Sequence, residues 1–111
     1  MNYEPIILPH FKKQLKPLCK KYRHFKNEVI LELKKFDSTR HQSLGHNVYK
    51  IRIASRDISR GKGRSFRIIV FVIERKQYIL PIAVYYKGDK QSMSLKEIND
   101  HLEIILLEAD R

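Results

Sequence analysis

The run FRIIVFVIE, residues 66–74, restricts the fold of this chain more than any other stretch. From Ile68 to Ile73 every residue is apolar. That is far short of the ~20 residues of a membrane span, and it suits a strand covered on both faces at the centre of a sheet. A strand of this kind needs neighbours on either side and other elements packed over it. NVYKIRIA (47–54) supplies one neighbour: alternation sets Val48, Lys50 and Arg52 on one side and Tyr49, Ile51 and Ile53 on the other. YILPIAVYY (78–86) supplies the second, after the tight turn RKQ. Pro81 has no N–H to give to a ladder, so this strand lies at an edge or carries a bulge there.

The remaining segments read as helices and connections. In 9–36, Phe11, Leu15, Leu18 and Tyr22 recur at helical spacing, as do Phe25, Val29, Leu33 and Phe36. Pro17 is expected to kink or break this stretch, and the polar KKYRH to hold a turn, which makes a helical hairpin. YEPIIL (3–8) is a short extended segment with Pro5 marking an edge, and DSTRHQSLGH (37–46) is a polar loop. Ser94 and Glu97 have capping-box spacing at the start of a last helix, whose apolar stripe is Leu95, Ile98, Leu102, Ile105 and Ala109. The predicted order is β-α-α-β-β-β-α, an α+β fold with an antiparallel meander, in one domain spanning 1–111.

Charge narrows the partners. With 23 Lys+Arg against 12 Asp+Glu, the net charge is +11 on 111 residues. Such a surface favours polyanions: nucleic acid first, an acidic protein or anionic lipid behind it. Lone Cys19 excludes an internal disulfide and fits a reducing compartment; it reads as a helix-face cysteine despite Lys16, Lys20 and Lys21 nearby. Residues 1–10 carry no signal-peptide pattern, and no segment has membrane-span length, so a cytoplasmic protein without membrane contact is expected. The five histidines lack ligand spacing, and GKGRS lacks the P-loop spacer, so neither a metal nor a cofactor is expected. The nine Lys or Arg of 12–35, against Glu28 and Glu32, are mostly a solvated helix face that adds long-range attraction.

YKIRIASRDISRGKGRSFRI (49–68) stands out against this background. Lys50 to Arg67 holds seven cations and one acid, Asp57. Loop charges such as Arg56, Arg60, Lys62 and Arg64 are by themselves most often solvation. Lys50, Arg52 and Arg67 lie within strands, where charge costs desolvation unless the face is open. In a meander the start of 66–74 meets the ends of both 47–54 and 78–86. Arg52, Arg67, Tyr85, Tyr86 and Lys87 should therefore converge at one end of the sheet, which favours a groove for an anion.

YKIR on the second strand, GKGRSFRIIVFVI on the third, and AVYYKGDKQSMSLKEI leading into the last helix come in order and at separations that resemble the RelE/ParE superfamily of type II toxins, nearest its RelE and HigB branches. The resemblance covers nearly the whole chain in element order. It implies a RelE-like toxin fold and a ribosome-dependent mRNA interferase that cuts the messenger in the decoding site, neutralised by a cognate antitoxin. By position, Lys50 and Arg52 match the paired basic residues of the family's strand, and Arg67 the arginine opening the next. Lys87 and Lys90 match the basic residues after the final strand. A tyrosine follows that basic turn in RelE proper; Met93 lies near its place here, leaving Tyr85 or Tyr86 for the role.

Attack of a ribose 2′-OH on its phosphate needs a base, charge stabilisation and an acid for the leaving oxygen, and it needs no metal. Arg52 and Arg67 suit stabilisation, Lys50 is a base or a further clamp, and Arg56, Arg60, Lys62 and Arg64 hold the RNA. Two rivals stand beside this reading: a non-catalytic basic module that binds RNA or an acidic protein, and a ParE-like inhibitor of DNA gyrase.

Overall fold

The computed structural model describes residues 2–56 and 65–110. The elements run β1 (Glu4–Pro5), α1 (Pro9–Lys21), α2 (Phe25–Lys34), β2 (Gln42–Gly45), β3 (Val48–Ile53), β4 (Phe66–Ile73), β5 (Tyr78–Tyr86) and α3 (Leu95–Ala109), with a turn of 3-10 helix at Glu74–Lys76 between β4 and β5. The sheet order is β1-β5-β4-β3-β2. β3, β4 and β5 form the expected antiparallel meander, β2 extends it antiparallel beyond β3, and β1 pairs parallel with β5 at the far edge. The apolar run of β4 is the central strand, with Phe66, Ile68, Ile69, Val70 and Val72 all buried.

Alternation along β4 explains how both faces are used. Phe66 meets Phe25 of α2 with ring centroids 4.5 Å apart and Tyr22 at 5.6 Å, so one face lies under the helical hairpin. Phe11, Leu15, Phe25, Val29 and Leu33 complete that core. On the opposite face, α3 packs along β5, and its C-terminal end shares a cavity with Ile73, Tyr78 and Leu80.

Four expectations are corrected or sharpened. The loop expected at 37–46 contains a fifth strand, β2, pairing Gln42 with Lys50 and Ser43 with Tyr49. It is a polar edge strand without apolar alternation, and it is reached through an Asp37 turn in which the carboxylate accepts from the Thr39 N–H and hydroxyl at 2.9 and 2.7 Å. The tight return to β3 takes three residues in the left-handed region, Gly45, His46 and Asn47. Pro17 does not interrupt α1, which continues to Lys21; Pro17 is exposed, so the carbonyl it leaves unbonded can turn to water. The break falls at Tyr22–His24 instead, inside KKYRH. Pro81 marks a bulge, one of the two expected alternatives: the register slips past Ile82 between Ala83 and Pro81, where β1 no longer pairs with β5. Beyond β1, the side-chain amide of Gln14 continues the ladder on β5, donating to the Ile82 carbonyl at 3.0 Å and accepting from the Val84 N–H at 3.2 Å.

The α3 N-terminus is as the spacing predicts, with the Ser94 hydroxyl accepting from the Glu97 N–H. Of its stripe, Ile98 and Ile105 are buried, whereas Leu95 is exposed. Burial raises the Cys19 thiol above its ordinary range, an effect that Lys26 only partly offsets. No helix among the described residues is long and apolar enough to cross a membrane.

α3 is fastened to α1 by a histidine pair, His10 Nε2 to His101 Nδ1 at 2.8 Å, and by the His10 N–H donating to Glu108 at 3.0 Å. One ring must donate to the other, so the contact needs at least one neutral ring. Burial and then the neighbouring His10 push His101 below the ordinary imidazole value. With the folded value depressed, this contribution is fully present above about pH 6.5, the unfolded imidazole value. It is lost as pH falls from there through the folded value. The melting temperature is expected to drop between pH 7.5 and pH 5, and the drop to shrink in His101→Gln; equal drops in both proteins would contradict this.

Candidate nucleic-acid interface

The strand register assembles the site. Arg52 of β3 stands directly opposite Arg67 of β4, and Arg67 opposite Tyr85 of β5, so the three share one row on the face away from the helical hairpin. Lys50 lies in the next row on the same side, opposite Ile69 and beside Gln42 of β2. Around this corner is an open cavity of about 330 Å³, lined by Arg40, His41, Gln42, Lys50, Arg52, Arg67 and Lys87. Five of these seven are cations and none is a carboxylate.

This arrangement works against stability. Like charges directly opposite across strands cost roughly 0.2–1 kcal/mol. Arg67 is only 5% exposed, and among the described residues its side chain donates to the neutral Ser65 hydroxyl and meets no carboxylate. Burial, and after it the Arg52 charge, pull the Arg67 guanidinium below its ordinary value. Tyr85 is 7% exposed, and its hydroxyl has no hydrogen-bond partner among the described residues. A buried cation with no counter-ion among the described residues, next to a hydroxyl that they leave unsatisfied, is an unusual combination in a core. An anion entering the cavity would compensate the charge, and a guanidinium fork matches the oxygens of a phosphate.

The residues singled out in the sequence separate into three groups. Lys50, Arg52, Arg67 and Lys87 come together at the cavity, with Tyr85 in their row. Tyr86, Lys90 and Arg56 do not join them. Tyr86 is one residue out of phase with Tyr85, so its ring points to the hairpin face and packs on Phe66 at 5.2 Å. Lys90 is paired with Glu97 at the start of α3. Arg56 is exposed just beyond β3, its N–H donating to Glu28 at 3.0 Å. Arg60, Lys62 and Arg64 lie outside the described residues.

Arg40, His41 and Gln42 were not anticipated as part of the site. The signal for them is weak, since a polar stretch becomes a cavity wall only once it pairs as β2 beside Lys50. A second cavity, about 660 Å³ along the outer surface of α3, is lined by Leu106, Leu107 and Ala109 with Glu103 and Asp110, a chemistry that does not suit an anion.

Lys87 is positioned by a turn. Its N–H donates to the Ser65 carbonyl at 3.0 Å, and the Asp89 and Lys90 N–H groups donate to the Tyr86 carbonyl at 3.0 and 3.1 Å. At Gly88 an added Cβ would overlap the Tyr86 ring, which Phe66 holds in place. Gly88→Ala is expected to destabilise the fold by roughly 1–3 kcal/mol, the usual cost of overpacking. Chemical denaturation reads this directly, and an unchanged midpoint would contradict it.

No protein-family model matches the chain, and no curated protein does. Among solved structures, the toxin RelE of E. coli, determined in the free state as a mutant with two arginines replaced by alanine, is similar. The likeness has a TM-score of 0.54 at 20% sequence identity and covers 82% of this chain and 90% of that one. At that identity the likeness speaks for architecture: among the described residues, three α-helices on a five-stranded sheet in a RelE-like fold.

Proposed function

We propose that this protein is the toxin of a type II toxin–antitoxin pair, of the RelE/HigB kind, acting in the cytoplasm as a ribosome-dependent mRNA interferase. The observation that carries the reading is the cavity in which five cations gather, with Arg67 buried at its wall and no carboxylate beside it among the described residues. The RelE-like fold supports it. A cognate antitoxin would be needed to hold such an activity in check.

In this reading one phosphodiester of the messenger sits against Arg67 and Arg52, with Lys50 and Lys87 clamping its flanks. As the 2′-oxygen attacks phosphorus, negative charge grows on the non-bridging oxygens. Preorganised guanidinium groups stabilise that charge more than they stabilise the ground state. Tyr85, in the Arg67 row and with a buried hydroxyl that has no partner among the described residues, is the tyrosine assigned to donate toward the phosphate, while Tyr86 is occupied in the aromatic core. The ribosome contributes by holding the RNA in line for attack.

The test is primer extension along a messenger on translating ribosomes incubated with the protein. Cuts confined to the decoding site, and absent from free RNA, are expected. Ribosome or RNA binding without cuts would favour a non-catalytic basic module, and inhibition of DNA gyrase with the messenger intact would favour the ParE-like alternative.

A further inference from the structure

We propose that His41 is the general base of this site, its Nε2 taking the proton from the attacking ribose 2′-hydroxyl. The proposal rests on the interferase reading and names a residue that this reading leaves unassigned.

His41 lines the same cavity as Lys50, Arg52, Arg67 and Lys87. Two contacts fix its ring. It stacks on Phe36 with centroids 5.3 Å apart and planes 12° from parallel. Phe36 is itself buried and clasped edge-on by Tyr3 at 5.2 Å and Tyr49 at 4.9 Å. The ring's Nδ1 lies 2.9 Å from the Asp37 carbonyl oxygen. Two acceptors would repel at that distance, so Nδ1 carries the hydrogen and donates; the Asp37 N–H, at 3.3 Å from the same nitrogen, is the weaker neighbour. The lone pair of the neutral ring is thereby assigned to Nε2.

The chemistry of the other wall residues points the same way. Lysine and arginine side chains ordinarily titrate about three units or more above neutrality, and an amide such as Gln42 does not titrate at all. An imidazole ordinarily titrates near 6.5, the range in which a base works at neutral pH. The charged groups around His41 are Asp37 and Arg40 on its own loop, Lys50 and Arg52 on β3, Arg67 on β4 and Lys87 beyond β5.

The step balances. The 2′-O–H bond breaks as Nε2 gains the proton, the 2′-oxygen forms its bond to phosphorus, and the bond from phosphorus to the 5′-oxygen breaks. The 5′-oxygen takes up a proton from solvent and the imidazolium releases one to solvent. The products are a 2′,3′-cyclic phosphate and a free 5′-hydroxyl.

The test is single-turnover cleavage on programmed ribosomes across pH, comparing the parent with His41→Asn, His41→Ala and Arg67→Ala. Asn can still donate to the Asp37 carbonyl but has no Nε2. Both His41 variants are expected to cut about 100-fold slower or more at neutral pH, while binding ribosomes as the parent does. The fall in parental rate on acidification through the imidazole range should vanish in both, and added imidazole should restore part of the rate of His41→Ala. Parental cutting by His41→Asn, with Arg67→Ala inactive, would overturn the role of His41 and leave the interferase reading standing. A slow variant that keeps the acid limb and gains nothing from imidazole would make His41 structural. A parent that cuts nothing would overturn both.

Discussion

Arg67→Ala should abolish most cleavage without weakening the fold. Loss of one preorganised donor to the transition-state oxyanion ordinarily costs about 10²–10³ in rate, and Arg67 is the most buried cation at the cavity. The stability side follows from two opposed terms. Truncation removes two buried methylenes, worth about 0.8 kcal/mol each. It also removes a buried cation with no carboxylate partner among the described residues, a burden of several kcal/mol in a closed interior. Even after a discount for the open cavity, the second term is the larger, and relief of the Arg52–Arg67 opposition adds to it. The variant should therefore melt at or above the parent temperature while single-turnover cleavage collapses. A folded Arg67→Ala that cuts at the parental rate would remove the cavity from the mechanism.

Phe66→Ala should have the largest effect on stability. Phe66 is 1% exposed and joins three elements: Phe25 of α2, Tyr22 in the break between the helices, and Tyr86 at the end of β5. Buried Phe-to-Ala changes cost about 3–5 kcal/mol, a large share of the 5–15 kcal/mol typical of a domain. Phe66→Leu keeps most of the volume and should cost under about 1.5 kcal/mol. Urea unfolding of the two variants checks both figures, and a loss below about 1 kcal/mol for Phe66→Ala would mean that the aromatic cluster does not bear on the fold. The neighbouring positions thus divide the work: Phe66 holds the helical hairpin to the sheet, and Arg67, one step on and facing the other way, serves the cavity.

That alternation shows what can be read in the sequence and what cannot. β4 was legible because an apolar run of strand length has few other uses. Its meander partners then placed Arg52, Arg67 and Tyr85 at one end of the sheet, because opposite ends of antiparallel strands must meet. Phase along the strand already distinguishes Tyr85 from Tyr86, since Arg67 can share a face with only one of them. β2 was illegible because a polar edge strand has no hydrophobic period, and with it went Arg40, His41 and Gln42. Lys90 could not be resolved either: its partner Glu97 is seven residues away across a turn and a helix start. Pro17 misled because its effect depends on whether the freed carbonyl reaches water, a matter of exposure that spacing alone does not carry.

The most direct measurement is an NMR titration with a short RNA carrying 2′-deoxyribose at the scissile position, which can occupy the site but cannot react. Side-chain signals of Arg67, Arg52, His41 and Tyr85 are expected to shift together and saturably, with the lysines of α1 moving little. Shifts confined to the basic surface of α1 and α2, with Arg67 and Tyr85 unmoved, would contradict the assignment of the cavity to an RNA phosphodiester.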